Sequence, residues 1–344
     1  PAIDISQATL KLISEINEFK GKWQALNTVA PEQLTNLRRV ATVESVGSST
    51  RIEGARLSDR EVDELLSGLQ ITQLQSREEE EVAGYAECME LVFTSYRDIP
   101  LTEGHVKQLH KVLLKYSSKD TRHRGDYKKL TNNVEAFDRN GKSLGIIFET
   151  ATPFDTPRKM EELLQWFGRE WQRQAVHPLL GIAVFVVHFL AIHPFQDGNG
   201  RLSRILTTLL LLKAAYDYVP YSSFERIIEE NKDQYYLALR RAQKTIYTDN
   251  STVDSWITFF LRCARTQAAV LEEKIRAEQL LNDIPPLSRD LLQVTRNRGK
   301  LTVREAVKAT GANRNTIKTH LKRLVRRGLL IQEGIGKGTW YRLS

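Results

Sequence analysis

The side chains best suited to chemistry lie in one short stretch, HPFQDGNGR at residues 193–201, which follows the apolar run GIAVFVVHFLAI. His193 is of a type that accepts protons near neutral pH, and Asp197 offers the hard oxygen ligand that Mg²⁺ uses when it also holds substrate phosphates. Glycines on both sides of Asn199 leave backbone N–H groups unscreened at the expected start of a helix, where an anion is favoured. The stretch therefore predicts a site for a phosphorylated substrate.

Two arginines extend this stretch along the helix expected to follow it. Arg201 and Arg204 are three residues apart on one helical face, and both can hold phosphate oxygens with paired hydrogen bonds. A lone histidine after an apolar helix would more often be a core residue, but here a base, a metal ligand, an anion-binding turn and two arginines fall within residues 193–204. This set predicts phosphoryl or nucleotidyl transfer from a nucleoside triphosphate, in which positioning and charge neutralisation do most of the work.

Helical periodicity dominates the rest of the chain, and few runs alternate apolar and polar residues as strands do. Ser58 is placed to cap a helix, with Glu61 three residues later completing a capping box. The exception is VEAFDRNGKSLGIIF at residues 134–148, where an Asn-Gly step between apolar runs predicts a β-hairpin. Helices are expected over residues 35–49, 59–69, 78–97, 103–114, 158–173, 179–191, 201–215, 225–246 and 252–281.

The composition, 344 residues with 41% hydrophobic side chains, is that of a soluble protein with a full-sized core. No charged-then-apolar leader opens the sequence, and no apolar run reaches the ~18 to 20 residues that cross a bilayer, so we expect no membrane partner and a cytoplasmic location. The two cysteines, Cys88 and Cys263, both fall in apolar helical patterns. We expect them to be core residues that form neither a disulfide framework nor a thiolate zinc site.

Positive charge is concentrated at the carboxy-terminal end. The formal net charge of the chain is +8, but residues 285–344 carry +11 and residues 1–284 carry −3. The paired prolines of NDIPP, residues 282–286, halt the preceding helix and mark a domain boundary. This asymmetry indicates that the last segment meets a polyanion while the body does something else.

Residues 287–344 resemble the winged helix-turn-helix family, because three short helical segments are followed by two strands joined by a glycine-rich turn. On the third helix Arg314, Lys318 and Lys322 recur at steps of four, away from the apolar positions, as in a helix that lies in the major groove. The resemblance implies DNA binding. The alternative is that these cations form a solvated surface and that the module binds only protein.

The active-site stretch carries a second resemblance. HPFQDGNGRLSR, residues 193–204, matches at every fixed position the motif HPFx[DE]GNGRxxR of the Fic (filamentation induced by cAMP) family, most of whose members transfer AMP from ATP to a hydroxyl of a protein side chain. The resemblance implies a mainly α fold, with a Fic-type helical bundle, a β-hairpin flap and a small C-terminal winged-helix domain. A related phosphotransferase branch carries lysine where this chain has Gly200, so the match favours AMP transfer.

The resemblance also implies a role for each residue of the motif. His193 would be the catalytic general base that deprotonates the target hydroxyl, and Asp197 would bind Mg²⁺ at the ATP phosphates. Backbone N–H groups of the turn would bind phosphate, and the two arginines would hold the outer phosphates. These further ATP-binding residues are Gly198, Asn199, Gly200, Arg201 and Arg204.

Two other elements take their expected roles from the family. The hairpin would pair with an extended target segment by β-strand addition, with Ile146, Ile147 and Phe148 as the docking edge. Tyr235 and Tyr236 resemble the family's adenine-side tyrosines, and Gln243, on the same helical face as Tyr235, stands where an asparagine is common. The alternative for the tyrosines is that they only pack in the core.

The stretch SSTRIEGARLS, residues 48–58, resembles the family's inhibitory motif [ST]xxxE[GN], with Ser49, Glu53 and Gly54 at the fixed positions. It precedes the active-site motif, which implies the class that is inhibited from its own N-terminal helix. Glu53 paired with Arg204 would occupy the guanidinium that should hold the γ-phosphate. The alternative is that Glu53 is a surface acid near a helix end.

These expectations divide the chain into an N-terminal helical region with the inhibitory helix (1–100, motif 49–54), a Fic catalytic core (101–282) and a winged helix-turn-helix domain (285–344). The leading interpretation is a protein adenylyltransferase that modifies a Ser, Thr or Tyr hydroxyl, is inhibited by Glu53 and can modify itself. Its substrates are ATP and a target protein and its cofactor is Mg²⁺, while DNA binding and a homodimer are left open. The alternatives are a DNA-binding transcriptional regulator whose core senses nucleotide, and an enzyme that removes AMP, with Glu53 positioning water.

Overall fold

Two consecutive buried helices, joined by the 193–198 turn, form the centre of the larger part of the chain. The first, α7 (Pro178–Ile192), is apolar on every side, as a helix surrounded by others must be, and its starting proline suits the first helical turn. The second, α8 (Asn199–Lys213), is also buried along almost its whole length. Because α7 and α8 pack against each other, both ends of the turn between them are held in place.

A computed structural model describes residues 5–25, 31–68, 74–137, 143–248, 251–282, 285–334 and 336–344. It is mainly α-helical, as predicted, and it divides into two compact units, residues 1–271 and 272–344. Within the described ranges no helix combines the length and apolar character that crossing a membrane would require. The other helices that begin in the first unit are α1 (Gln7–Ala25), α2 (Pro31–Ile52), α3 (Asp59–Gly68), α4 (Arg77–Ser95), α5 (Glu103–Leu113), α6 (Thr156–Arg173), α9 (Phe224–Glu230), α10 (Lys232–Thr245) and α11 (Asp254–Asn282), with a 3₁₀ turn at Val219–Tyr221.

The N-terminal helices bring residues 49–54 to the centre of the unit. Helix α2 packs against α4, α8 and α9, and its C-terminal half is buried although it is rich in serine. The predicted capping box opens α3, since the Ser58 N–H bonds to Oε2 of Glu61 (2.8 Å) and the Glu61 N–H to the Ser58 hydroxyl (3.4 Å). This cap fixes where the chain leaves α2 and turns back.

The predicted β-hairpin consists of β1 (Val134–Phe137) and β2 (Ser143–Phe148). The strands are antiparallel, with Val134 opposite Phe148 and Glu135 opposite Ile146. The Asn-Gly step expected at its tip lies outside the described residues. Strand β2 lies against α10, so the hairpin stands beside the helix that carries Tyr235.

The second unit contains three helices and a small sheet. Helices α12 (Pro286–Arg298), α13 (Val303–Thr310) and α14 (Arg314–Arg326) enclose an apolar core that includes Leu291, Ile317 and Leu321. Strands β3 (Leu301–Thr302), β4 (Leu330–Glu333) and β5 (Trp340–Leu343) form an antiparallel sheet in the order β3-β5-β4, with a 3₁₀ turn at Gly336–Gly338. Two of these strands were predicted, whereas β3 is too short to leave a pattern in the sequence.

The helix predicted over residues 225–246 is wrong, because it is broken into α9 and α10 at Asn231. Nδ2 of Asn231 donates to the carbonyl oxygen of Ile227 (2.8 Å). The backbone angles of Asn231, φ −118° and ψ 32°, lie outside the helical region. Asparagine side chains compete with the helical hydrogen bonds in this way. The break redirects α10 so that Tyr235 is buried within 6 Å of the rings of Trp256 and Phe259.

Candidate active site

The turn between α7 and α8 has an unusual backbone at both ends. His193 caps α7 with φ 53° and ψ 60°, the left-handed region that non-glycine residues rarely adopt, and Gly198 opens α8 with φ 78°. Asn199 holds the turn closed, since its side chain accepts from the Phe195 N–H (2.9 Å) and donates to the Phe195 carbonyl (2.7 Å). The first N–H groups of α8 have no intrahelical acceptor and are therefore open to an anion.

The His193 ring is set up as a neutral base. Its Nδ1 lies 3.3 Å from the carbonyl oxygen of Leu190, so Nδ1 carries the proton and Nε2 is left as an acceptor. Burial, followed by the charge of Lys128, lowers the pKa of His193 to about 4, against smaller opposing effects of Glu53 and Asp197. At neutral pH this imidazole can accept a proton.

A second histidine, His110 of α5, holds the turn through contacts with Phe195 and Asp197. Its Nδ1 accepts from the Gly125 N–H (2.9 Å), so its Nε2 carries the proton and donates to the carbonyl oxygen of Asp197 (3.0 Å). The ring stacks on Phe195, with centroids 3.8 Å apart. Burial lowers the pKa of His110 to about 4, which keeps it neutral in this role.

Asp197 is ionised and surrounded by cations. Its Oδ1 accepts from the Gly198 N–H (2.6 Å) and from Nη2 of Arg201 (3.3 Å). Its Oδ2 lies 3.0 Å from Nζ of Lys119 and 3.7 Å from Nη2 of Arg77. Burial alone would raise the pKa of Asp197, but Arg201 and Lys119 hold it well below its usual range.

The donor set at Asp197 fits Mg²⁺ in one respect. The described residues contain no group of three His, Cys, Asp or Glu side chains that could hold a metal by themselves. Magnesium with a nucleotide does not need one, because it commonly takes one or two carboxylates and completes its shell with phosphate oxygens and water. The Lys119 ammonium at Oδ2 shows that this oxygen accepts a cation.

Two guanidinium groups lie buried beside the turn, and each is held by a carboxylate. The Arg201 and Arg204 side chains are each 3% exposed. Nη1 of Arg201 lies 3.5 Å from Oε2 of Glu81 on α4. Among the described residues, Nε and Nη1 of Arg201 and Nη1 of Arg204 have no hydrogen-bond acceptor. Buried donors left in this state are costly, and an anion rich in oxygen atoms would satisfy them.

The end of α2 closes over Arg204. Nη2 of Arg204 donates to Oε1 of Glu53 (2.8 Å) and to the Ser49 carbonyl (3.1 Å). Nε of Arg204 donates to the Ser49 hydroxyl (2.8 Å). Burial would raise the pKa of Glu53, but the charge and hydrogen bond of Arg204 lower it, with help from Arg201. Gly54 follows with φ 106°, a conformation that glycine adopts without strain.

The Glu53 carboxylate also lies directly on Gly200. A Cβ built on Gly200 would collide with Oε1 of Glu53. The acidic side chain therefore covers the first turn of α8, where the N–H groups point towards an anion. One residue thus pairs with the arginine and covers the anion-binding turn.

The structure places Tyr235 and Gln243 in the interior, and Tyr235 lies near Arg204. Both are buried, with 4% and 8% exposure, and they lie two helical turns apart on α10. Burial raises the pKa of Tyr235 to about 12, partly offset by Arg204. The Tyr236 hydroxyl, in contrast, reaches the carbonyl oxygen of Ile52 (3.5 Å) at the end of α2. Tyr236 therefore contacts the C-terminal end of α2.

The remaining predicted residues lie outside this cluster. Ile146 and Ile147 belong to β2, where only their backbone is described, and Phe148 ends the strand, partly exposed. Arg314, Lys318 and Lys322 are exposed along α14, on a face next to the buried one that carries Ile317, Leu321 and Leu324.

Contacts that join distant parts of the chain were missed from the sequence. They involve Arg77, Glu81, His110, Lys119 and Lys128, whose local surroundings do not indicate contacts with the 193–204 stretch. Lys128 stands out because it is a buried lysine beneath the 193–198 turn.

Comparison with known proteins agrees with this geometry. Residues 100–211 match the model of the Fic/DOC family. The chain is 35% identical over 92 residues to the protein adenylyltransferase Fic of Drosophila grimshawi and 33% identical over 92 residues to that of Drosophila melanogaster. The matched segment is 27% of this chain but only 18% and 17% of those proteins, so the chain spans less than a fifth of the curated relatives' length.

Solved structures extend the likeness in fold. A Fic family protein from Desulfovibrio desulfuricans G20 superposes with a TM-score of 0.63 at 22% identity, covering 100% of this chain and 98% of that one. A Fic domain containing signaling protein from Bacteroides thetaiotaomicron gives a TM-score of 0.61 at 23% identity, covering 75% and 95%. The neutral histidine, the open helix N-terminus and the two buried arginines all lie in the segment that matches the family model. The chain therefore contains a Fic/DOC domain.

Proposed function

We propose that the protein is an adenylyltransferase that moves AMP from ATP to a Ser, Thr or Tyr hydroxyl of a protein. The observation that carries the proposal is the convergence of a neutral imidazole, His193, and two buried, incompletely bonded guanidinium groups on one helix N-terminus. The curated relatives named protein adenylyltransferase support the same reaction, although they match only part of their length.

In this reaction the target hydroxyl loses its proton to Nε2 of His193 and its oxygen bonds to the α-phosphorus of ATP. The bond from that phosphorus to the oxygen bridging to the β-phosphate breaks, and pyrophosphate leaves. N–H groups at Asn199 and Gly200 would hold phosphate oxygens, as would that of Gly198 after it gives up its bond to Oδ1 of Asp197. Arg201 and Arg204 would neutralise the negative charge. Asp197 would hold Mg²⁺, which supplies further charge neutralisation when bound.

The same geometry supports inhibition by residues 49–54. With Arg204 bonded to Glu53 and Ser49, the guanidinium that should bind the outer phosphates is occupied. The carboxylate on Gly200 would also repel a phosphate approaching the helix N-terminus. The resting protein would therefore transfer AMP slowly.

Target binding would use the hairpin. An extended segment pairing with β2 near Ile146 and Phe148 would run alongside α10, and its hydroxyl would be brought towards His193. Such pairing depends on backbone groups, so it tolerates many target sequences. Self-modification would occur when a hydroxyl of the chain itself takes this place.

The test is incubation of the purified protein with ATP and Mg²⁺, followed by measurement of its intact mass. The Glu53→Gly variant should gain the mass of one or more AMP groups, and Glu53→Gly combined with His193→Ala should gain none. A gain of phosphate instead of AMP would refute nucleotidyl transfer. Loss of AMP from a pre-modified protein that requires Glu53 would favour AMP removal at the same site.

A second candidate function, DNA binding, is favoured by the surface of the second unit. Arg314, Lys318 and Lys322 lie exposed in one row along α14, with the polar Asn315 and Thr319 beside them. A row of cations could neutralise phosphates while the polar side chains contact base edges. This function would be independent of the His193 site.

A further inference from the structure

The two ends of the hairpin are tied to the 193–198 turn by one buried side chain. Lys128, six residues before β1, is 3% exposed. Its Nζ donates to the carbonyl oxygen of Ile192 (3.1 Å), to Oγ1 of Thr150 (2.8 Å) and to Oδ1 of Asn132 (2.8 Å). Thr150 follows the end of β2 by two residues, so the ammonium joins both ends of the hairpin to the end of α7.

Backbone contacts reinforce this junction. The Lys128 N–H donates to the Pro194 carbonyl (2.8 Å), and Tyr127 pairs with Phe195 as in an antiparallel sheet. Nδ2 of Asn132 donates to the Phe195 carbonyl (2.6 Å). The carbonyl groups on both sides of His193 are thus held by residues next to the hairpin.

Lys128 differs from an ordinary buried cation because, among the described residues, its ammonium bonds to neutral oxygens and to no carboxylate. Burial, followed by repulsion from Lys159, lowers the pKa of Lys128 to about 8. The three acceptors of the ammonium are all neutral oxygens. Burying a charge without a carboxylate partner costs folding free energy. Stability alone would be served as well by a neutral donor.

We propose that Lys128 is a positioning residue that locks the 193–198 turn to both ends of the hairpin, so that the base and the target hydroxyl are held in register. The inference rests on the proposed function, because the hairpin is assigned there to the target. Loss of Lys128 should let the hairpin and the turn move separately while ATP binding, which depends on α8, is retained. Misplacement by about 1 Å can cost about a hundredfold in rate.

Lys128 also acts on His193 through its charge. The charged groups facing His193 are Lys128, which lowers its pKa, and Glu53 and Asp197, which raise it. Burial is the larger cause of the low pKa, so removing Lys128 should raise the pKa of His193 without restoring its ordinary value. This electrostatic readout does not depend on any enzymatic activity.

The test compares Lys128→Met with Lys129→Met, in which an exposed lysine next along the chain is replaced. Thr150→Val is the second variant, because it removes one acceptor and keeps the shape of the side chain if Lys128→Met fails to fold. Rates are measured with Glu53→Gly present, and the titration of the His193 ring is followed by NMR with Glu53 intact. The protein has seven histidines, and the His193 signal is the one lost in His193→Ala.

We expect Lys128→Met to lower kcat for AMP transfer by about tenfold or more, with the KM for ATP within about twofold, and to raise the pKa of His193. Thr150→Val should lower kcat by less, and Lys129→Met should change neither quantity. Equal kcat in Lys128→Met and Lys129→Met would overturn the inference. If no variant transfers AMP, the proposed function fails and the NMR titration decides alone, an unchanged His193 pKa overturning the role of Lys128.

Discussion

Nε of Arg51 donates a hydrogen bond of 2.6 Å to Oε1 of Glu229, which fixes the end of α2 to α9 two residues before Glu53. The same guanidinium bonds to Oδ1 of Asp59 (2.9 Å) and to the Leu57 carbonyl (2.9 Å). Arg51 thus holds both the helix and the chain that leaves it. We expect the position of Glu53 over Arg204 to depend on this anchor.

Arg51→Met should therefore raise AMP transfer, but by less than Glu53→Gly does, because Glu53 keeps its pairing with Arg204. The variant should also unfold at a lower temperature, since Glu229 and Asp59 lose a partly buried partner worth about 1 to 3 kcal/mol. Arg56→Met, at an exposed arginine of the same segment, is the control. Equal transfer rates in the two variants would show that the Arg51 contacts do not hold the inhibitory residues in place.

Glu53→Gly should raise AMP transfer about tenfold or more, because a charge-assisted hydrogen bond contributes about 1.5 to 3 kcal/mol and its loss frees the guanidinium. The gain should vanish when Arg204→Ala is added, since the freed arginine is what the activation requires. Incorporation of labelled AMP measures both. A double variant as active as Glu53→Gly would contradict this dependence on Arg204.

The rate of AMP transfer should stay nearly constant from pH 7 down to about pH 5. His193 has a pKa of about 4, so its neutral form dominates over this range. The Glu53→Gly variant suits the measurement, because losing the Glu53 carboxylate removes one charge that raises the His193 pKa. A rate that halves near pH 6.5 would show that burial does not depress this titration.

Acid should destabilise the folded chain through its buried histidines. His110, His188 and His193 each have a pKa of about 4 in the folded protein, below the ordinary 6.5, and burial is the largest cause in each case. The unfolded chain therefore binds more protons between these values, so stability is retained above pH 6.5 and falls as the pH drops towards 4.

His188→Leu isolates one of these groups, because His188 lies on α7 away from the turn and the described residues offer its Nε2 no hydrogen-bond partner. Between pH 6.5 and 4 the free energy of unfolding should fall less in the His188→Leu variant than in the native chain, by on the order of 2 to 3 kcal/mol. Denaturant unfolding at a series of pH values measures the difference. Parallel stability curves for the two proteins would count against a neutral buried His188.

In the second unit, replacing Arg314, Lys318 and Lys322 together with alanine should weaken DNA binding and reduce its dependence on salt. Each lost phosphate contact lowers the slope of log K against log salt by about one. The matched control replaces three other exposed cations, Arg289, Arg296 and Arg298 of α12, with alanine. Equal mobility shifts for the two variants at several salt concentrations would remove α14 as the binding surface.

The features that could be predicted are those determined by residues close together in the sequence. The stretch from His193 to Arg204 is continuous, so its turn and its helix follow from local glycine and capping rules, and Ser58 and Glu61 announce a helix start in the same way. Lys128 and Ile192 are 64 residues apart, and Arg51 and Glu229 are 178 apart. Such contacts depend on how the helices pack. The residues near each partner in the sequence do not indicate which distant residue it will contact.

The packing of Glu53 on Gly200 links the choice of chemistry to the means of control. A side chain at position 200 and the Glu53 carboxylate cannot occupy the same space, so a lysine there, as in the phosphotransferase branch, would displace the acid. On the proposed function, a lysine at position 200 would therefore also weaken the hold of Glu53 on Arg204, because the carboxylate would have to swing aside.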